Sequence, residues 1–138
     1  MKKVFFLLIV STIISLTSCI EKTDTFSDQI SLGTGVNPTN YFELTGEGTE
    51  FQSINQSSII YFRVESKEDL AGNDILLEFR TLNNGLINSI TRQNPQDYGH
   101  ILVSYFDWQW MTGSYKVQAY ILKGLDKQLI AEQEFTIY

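Results

Sequence analysis

The sequence predicts an all-β fold, a sandwich or barrel around one core. Three observations carry that reading. Apolar residues recur with a period of two along several stretches, so alternate side chains share one buried face. Asparagine- and glycine-containing turn signals separate those stretches. Helix signals are sparse: the best candidate, Ser66-Lys67-Glu68-Asp69-Leu70, is one turn at most.

The first element is a leader. Lys2 and Lys3 precede an apolar stretch over residues 4–16 that is interrupted by Ser11, Thr12 and Ser15. A transmembrane helix needs about 20 apolar residues, so this stretch reads as the core of a secretory signal. Leu16-Thr17-Ser18-Cys19 resembles the lipobox of bacterial lipoproteins: a branched apolar residue, two small residues, then cysteine. The resemblance covers the first 19 residues. It implies cleavage after residue 18, acylation of Cys19, and a membrane partner reached through those acyl chains. Two or more chains hold a protein stably where one does not. Cys19 is also the only cysteine, so the chain forms no internal disulfide. Loss of the leader, with its two lysines and no acid, takes the net charge from −6 to −8. That acidity argues against nucleic acid as a partner and against electrostatic adhesion to anionic lipid.

Residues 19–28 read as the lipidated cysteine and a short polar tether, spanning roughly 30 Å when extended. Residues 29–138 then form one domain, a normal size for a single core. Within it, Ile60, Phe62 and Val64 alternate with Tyr61 and Arg63, and Ile75, Leu77 and Phe79 with Leu76, Glu78 and Arg80. Ile101, Val103 and Tyr105 alternate with Leu102, Ser104 and Phe106, and Tyr115, Val117, Ala119 and Ile121 with Lys116, Gln118 and Tyr120. Weaker strands are expected near 29–32, 41–44, 86–91 and 128–137. Asn84-Gly85 is the sharpest turn signal, because both residues tolerate positive φ.

Thr112-Gly113-Ser114-Tyr115-Lys116-Val117-Gln118-Ala119-Tyr120 is similar to the penultimate strand of immunoglobulin-like domains. The likeness is clearest over residues 58–138 and fits the cysteine-free bacterial immunoglobulin-like or fibronectin-III-like group. It implies a single immunoglobulin-like β-sandwich of about seven to eight strands. It also implies that Tyr115 is a structural corner whose hydroxyl bonds upstream backbone, and that Val117 takes the place of the inward cysteine. The departures are the missing cysteine pair and the missing tryptophan in the middle strand.

Chemistry is thinly represented. His100 is the only histidine, and no Gly-x-Ser-x-Gly elbow accompanies it, so the expectation is no enzyme and no catalytic residue. One histidine and one cysteine do not make a zinc site, and no cofactor or metal is expected. Glu68, Asp69, Asn73 and Asp74 cluster in one loop, but not at EF-hand spacing. The aromatic run Tyr105-Phe106-Asp107-Trp108-Gln109-Trp110 carries both tryptophans. Trp108 and Trp110 face one side of an extended chain. Exposed, they make a ligand platform; buried, they plug the sandwich beside Tyr115. Tyr61, Arg63 and Tyr120, with Gln118, are expected to form an outward patch on one sheet, suited to a partner.

The functional expectation is a lipid-anchored lipoprotein of the cell envelope, with the outer membrane the expected site and its side left open. Its domain is a non-enzymatic module binding an unknown protein or glycan. Two alternatives stand beside it: an accessory subunit of an envelope machine such as a secretion system, and an inhibitor of a secreted enzyme such as lysozyme.

Overall fold

The computed structural model describes residues 25–53 and 58–138. The signal peptide 1–18, Cys19 and the tether up to residue 24 lie outside the described residues. So does the side chain of Trp108. Ten strands are present among the described residues: β1 Gln29–Gly33, β2 Gly35–Asn37, β3 Asn40–Thr45, β4 Glu50–Phe51, β5 Ser58–Glu65, β6 Asp74–Thr81, β7 Leu86–Gln93, β8 Ile101–Trp108, β9 Gly113–Lys123 and β10 Asp126–Ile137.

Eight of them form two principal sheets, with orders β1-β5-β8 and β4-β10-β9-β6-β7, and β2-β3 is a separate hairpin. The chain crosses between sheets from β4 to β5, from β5 to β6, from β7 to β8, and from β8 to β9. The result is an all-β sandwich, as the alternation predicts. All ladders are antiparallel except β4 on β10. The strand expected near 41–44 is β3; β2, which pairs with it, and the two-residue β4 are the additions to the strands expected from sequence.

The core lies between the two sheets. Ile60, Phe62 and Val64 of β5 meet Ile75, Leu77 and Phe79 of β6 and Val117, Ala119 and Ile121 of β9, all buried. In β8 each alternating set holds at least two large apolar or aromatic residues, Ile101, Val103 and Tyr105 against Leu102 and Phe106, so apolarity alone does not name the inward face. The structure buries Leu102 and Phe106, and turns Val103 and Tyr105 outward. Phe106 bridges the sheets, with its ring centroid 4.4 Å from that of Phe79.

The end of the sandwich is closed by Trp110, which is buried against Phe79, Phe106, Tyr115 and Phe135. Beside it the Tyr115 hydroxyl donates to the Met111 carbonyl at 2.6 Å. That bond ties β9 to the connection before it, the geometry of a tyrosine corner.

Two local expectations differ from the structure. No helix forms at residues 66–70. The Asp69 side chain accepts the Ala71 N–H, and the Leu70 N–H goes to Gly99, so the backbone is committed to turns instead. The folded contacts also begin before Gln29. Phe26 stacks on the His100 ring at 4.3 Å, Ser27 donates to Glu65, and Asp28 accepts from Ser66 and Lys67. Residues 26–28 are therefore docked on the domain rather than part of a free tether.

Candidate functional site

A groove of about 270 Å³, lined by four tyrosines, lies between the β2-β3 hairpin and the outer face of the three-stranded sheet. Its walls are Val36 and Tyr41 from the hairpin, Tyr61 from β5, Tyr98, and Val103, Ser104 and Tyr105 from β8.

Local chemistry explains the hairpin. In Asn37-Pro38-Thr39-Asn40, the Asn37 side chain accepts from the Thr39 N–H and hydroxyl, and the Asn40 side chain accepts from the Phe42 N–H. Such side-chain bonds two residues on are turn-makers. Gly33 lets the hairpin fold back on β1: a Cβ there would sit 2.8 Å from the Thr45 carbonyl oxygen. The Thr34 N–H donates to that same carbonyl at 2.9 Å.

Alternation then supplies the floor. Since Ile60, Phe62 and Val64 point inward, Tyr61 and Arg63 point outward. Tyr61 pairs in register with Tyr105, and their ring centroids are 5.8 Å apart. Tyr98, from the 3-10 turn Gln96–Tyr98, packs its ring against Phe42 at 4.9 Å. Tyr41 is 67% exposed and Tyr105 51%.

Arg63 plays a different part from the one expected. Its Nε donates to the Phe42 carbonyl at 2.8 Å, and its Nη1 lies 2.6 Å from Glu65 Oε2. The guanidinium clamps the hairpin to the sheet and is not free for a ligand. Glu65 is the centre of that clamp. Burial pushes its carboxyl up, but the Ser27 N–H, Arg63 and Gln29 outweigh burial and hold it down at about 2.

Tyr120 is separated from Tyr61 by the whole sandwich, because β9 belongs to the five-stranded sheet. The expected single patch of Tyr61, Arg63 and Tyr120 is therefore two unrelated surfaces. Tyr120 donates to Gln118 and lies under the Lys127 ammonium, 4.4 Å from ring centre to nitrogen. Glu78 nearby pairs with both Arg80 and Lys127. Burial raises its carboxyl, and the two cations lower it further than burial raises it.

Trp110 is not a platform, since its ring is 2% exposed. A wide depression of about 640 Å³ does lie beside it, lined also by Ser53, Gln109, Met111 and Thr112. The indole N–H has no partner among the described residues, yet the nitrogen is itself buried and closed off from that depression. Trp108 is placed only by its backbone, opposite Ser58 in the β5-β8 ladder. Cys19 lies outside the described residues.

His100 is half-buried, stacked on Phe26, with Nδ1 3.0 Å from the Ser66 carbonyl. A carbonyl partner requires Nδ1 to carry the proton. The ring thus packs on Phe26 and ties the start of β8 to the Ser66 carbonyl. In the acidic loop, Glu68 pairs with Lys123 and Gln128, and Asp69 caps its own turn. Among the described residues no group of three or more His, Cys, Asp or Glu side chains is arranged to hold a metal. Among them, too, no helix is long and apolar enough to cross a membrane.

Tyr41, Tyr98 and Tyr105 are groove residues that sequence reasoning did not select as a site. The only signal was parity: Tyr61 and Tyr105 both fall on the outward set of their strands once the inward set is known. Nothing local reports that Tyr41 and Tyr98 converge on them.

The chain matches no protein-family model and no curated protein. Among solved structures it is similar to the C-terminal domain of wzt, at 11% identity and a TM-score of 0.45, over 80% of this chain and 71% of that one. That likeness carries no functional argument.

Proposed function

We propose that this protein is a lipid-anchored envelope lipoprotein whose sandwich is a non-enzymatic binding module for a protein or glycan. The tyrosine groove carries the binding part of this reading. It joins exposed aromatic rings to a concave, pre-shaped surface, a combination typical of recognition sites. The lipobox ending in Cys19 supports the anchoring part, and the outer membrane is the site we propose for it. With residues 26–28 docked, only residues 20–25 separate Cys19 from the domain, at most about 20 Å of extended chain.

Two arms test the reading. Cys19→Ala is expected to abolish labelling by an alkyne analogue of palmitate and to move the protein out of the detergent-soluble membrane fraction. Retention there refutes the anchor. A photo-reactive phenylalanine analogue at Tyr105 is expected to capture a partner in intact cells, while the same analogue at Leu125, in the β9-β10 turn, does not. Equal capture at both positions, or none at Tyr105, refutes the site.

A further inference from the structure

We infer that the tyrosine groove is a combining site for an uncharged oligosaccharide. The inference rests on the binding-module reading and narrows it to a ligand class.

Charge is the first argument. The seven residues that line the groove include no formally charged side chain. The nearest clamp, Arg63, is neutralised by Glu65 and spent on the Phe42 carbonyl. Beside the groove the Arg92 guanidinium is already engaged by Ser104 Oγ and the Tyr105 carbonyl, and an anionic ligand would meet a chain of net charge −6. A cationic ligand would meet no carboxylate in the lining. A neutral ligand faces neither penalty.

Surface chemistry is the second. Four tyrosines and Ser104 bring aromatic rings and hydroxyl groups to one lining. The hydroxyls of Tyr41, Tyr98 and Tyr105 have no partner among the described residues. A sugar ring has the matching pattern. Its C–H faces sit against the electron-rich face of an aromatic ring, and its equatorial hydroxyls reach donors and acceptors at the edge. The volume, about 270 Å³, lies just below the range of roughly 300–1,000 Å³ for enclosed small-molecule sites. It suits a short stretch of a longer chain that continues past the ends of the groove.

The third argument sets a peptide aside. An extended peptide would bind best by adding a strand to the free edge of β8, using main-chain bonds for affinity. That edge is already occupied beside the groove. Arg92 of β7 reaches across and donates from Nη2 to the Tyr105 carbonyl at 3.2 Å and from Nε to Ser104 Oγ at 3.3 Å. One main-chain acceptor of the edge is thus taken at the groove, while Tyr41 and Tyr105 stay exposed. Pre-organisation favours a weakly held ligand as well: Tyr61 rests on Tyr105 and Tyr98 on Phe42, so few rotamers remain to be ordered on binding.

The test uses the full lipidated chain, extracted in a detergent without a sugar headgroup. Maltohexaose, cellohexaose, chitohexaose and mannohexaose are titrated by saturation-transfer NMR. Transfer to at least one is expected, with affinity weakened about tenfold or more in Tyr105→Ala and Tyr41→Ala. Tyr105→Phe keeps the ring and should retain most of the affinity. Leu125→Ala should change nothing. Both truncated tyrosines are exposed, so neither variant threatens the fold. Transfer to none of the four, or transfer indifferent to Tyr105→Ala, overturns the glycan assignment. If the photo-probe at Tyr105 then captures a protein, the binding-module reading survives without it. If the probe captures nothing, both fall.

Discussion

Replacing Glu65 with glutamine should destabilise the domain at neutral pH and cease to matter in acid. Glu65 is 7% exposed and accepts from the Ser27 N–H at 2.7 Å, from Gln29 Nε2 at 3.0 Å, and from Arg63 across 2.6 Å. These partners hold its carboxyl at about 2, against 4.5 for an unperturbed glutamate. A group whose folded value lies below its unfolded value binds protons more tightly when unfolded. Its stabilisation is therefore complete above 4.5 and drains away as pH falls toward 2. At 1.36 kcal/mol per pH unit the difference corresponds to about 3 kcal/mol. The cluster sits near the surface, and solvent screening reduces this to about 2 kcal/mol.

The assay is urea unfolding of wild type and Glu65→Gln at pH 7 and pH 3. The expected stability gap is about 2 kcal/mol at pH 7 and less than half of that at pH 3. Amide exchange adds a local readout. The Ser27 N–H should exchange faster in the variant, because the charged acceptor that docks residues 26–28 is gone. A gap that stays constant between the two pH values would refute the ionic account. A gap below about 0.5 kcal/mol at pH 7 would show that Glu65 is only a surface pair.

Three other substitutions probe the frame around the site. Phe106→Ala empties the contact between the sheets and should cost about 3–5 kcal/mol in chemical denaturation, as for other buried aromatics. Tyr115→Phe removes only the bond to Met111 and should lower the denaturation midpoint by the equivalent of about 1 kcal/mol with an unchanged m-value. Gly33→Val places a side chain against the Thr45 carbonyl and Leu44, so the hairpin must move off β1. It should speed exchange of the Thr34 amide and abolish capture at Tyr105, while the core amides of β5 and β9 keep their protection.

The sandwich was legible because its signal is local. Period-two alternation in β5, β6 and β9 names the buried residues directly, and the Gly113-Ser114-Tyr115 motif marks the β9 corner. Asn84 does adopt positive φ, at 69°, in the β6-β7 turn. The site was not legible, for two physical reasons. Parity tells which residues share a face of one strand, but not which sheet a strand joins, so Tyr120 and Tyr61 looked like neighbours. The hairpin's strands are short: β2 has three residues, too few to show any period. Its approach to β5 and β8 depends on Arg63 and Gly33, single residues whose partners are distant in sequence. Both tryptophans drew attention as large rings in one run. Trp110 instead follows the strand end into the core, where its area is worth most.

The groove and the point of entry of the chain are linked through one connection. Tyr98 lines the groove, and His100, two residues on, carries the stacked Phe26. Glu65 holds Ser27 on one side and Arg63 on the other, and Arg63 holds the hairpin. The docked N-terminal segment and the groove wall therefore share a single ionic clamp. Losing that clamp should loosen both together: the span from Cys19 lengthens by three residues as the hairpin loses its strut. A domain held this way is stiffest at residues 26–28, and the orientation of its aromatic face follows from that clamp. Glu65→Gln should accordingly weaken ligand capture at Tyr105 although Glu65 lines no part of the groove. Undiminished capture in that variant would show that the hairpin stands on its backbone bonds to β1 alone.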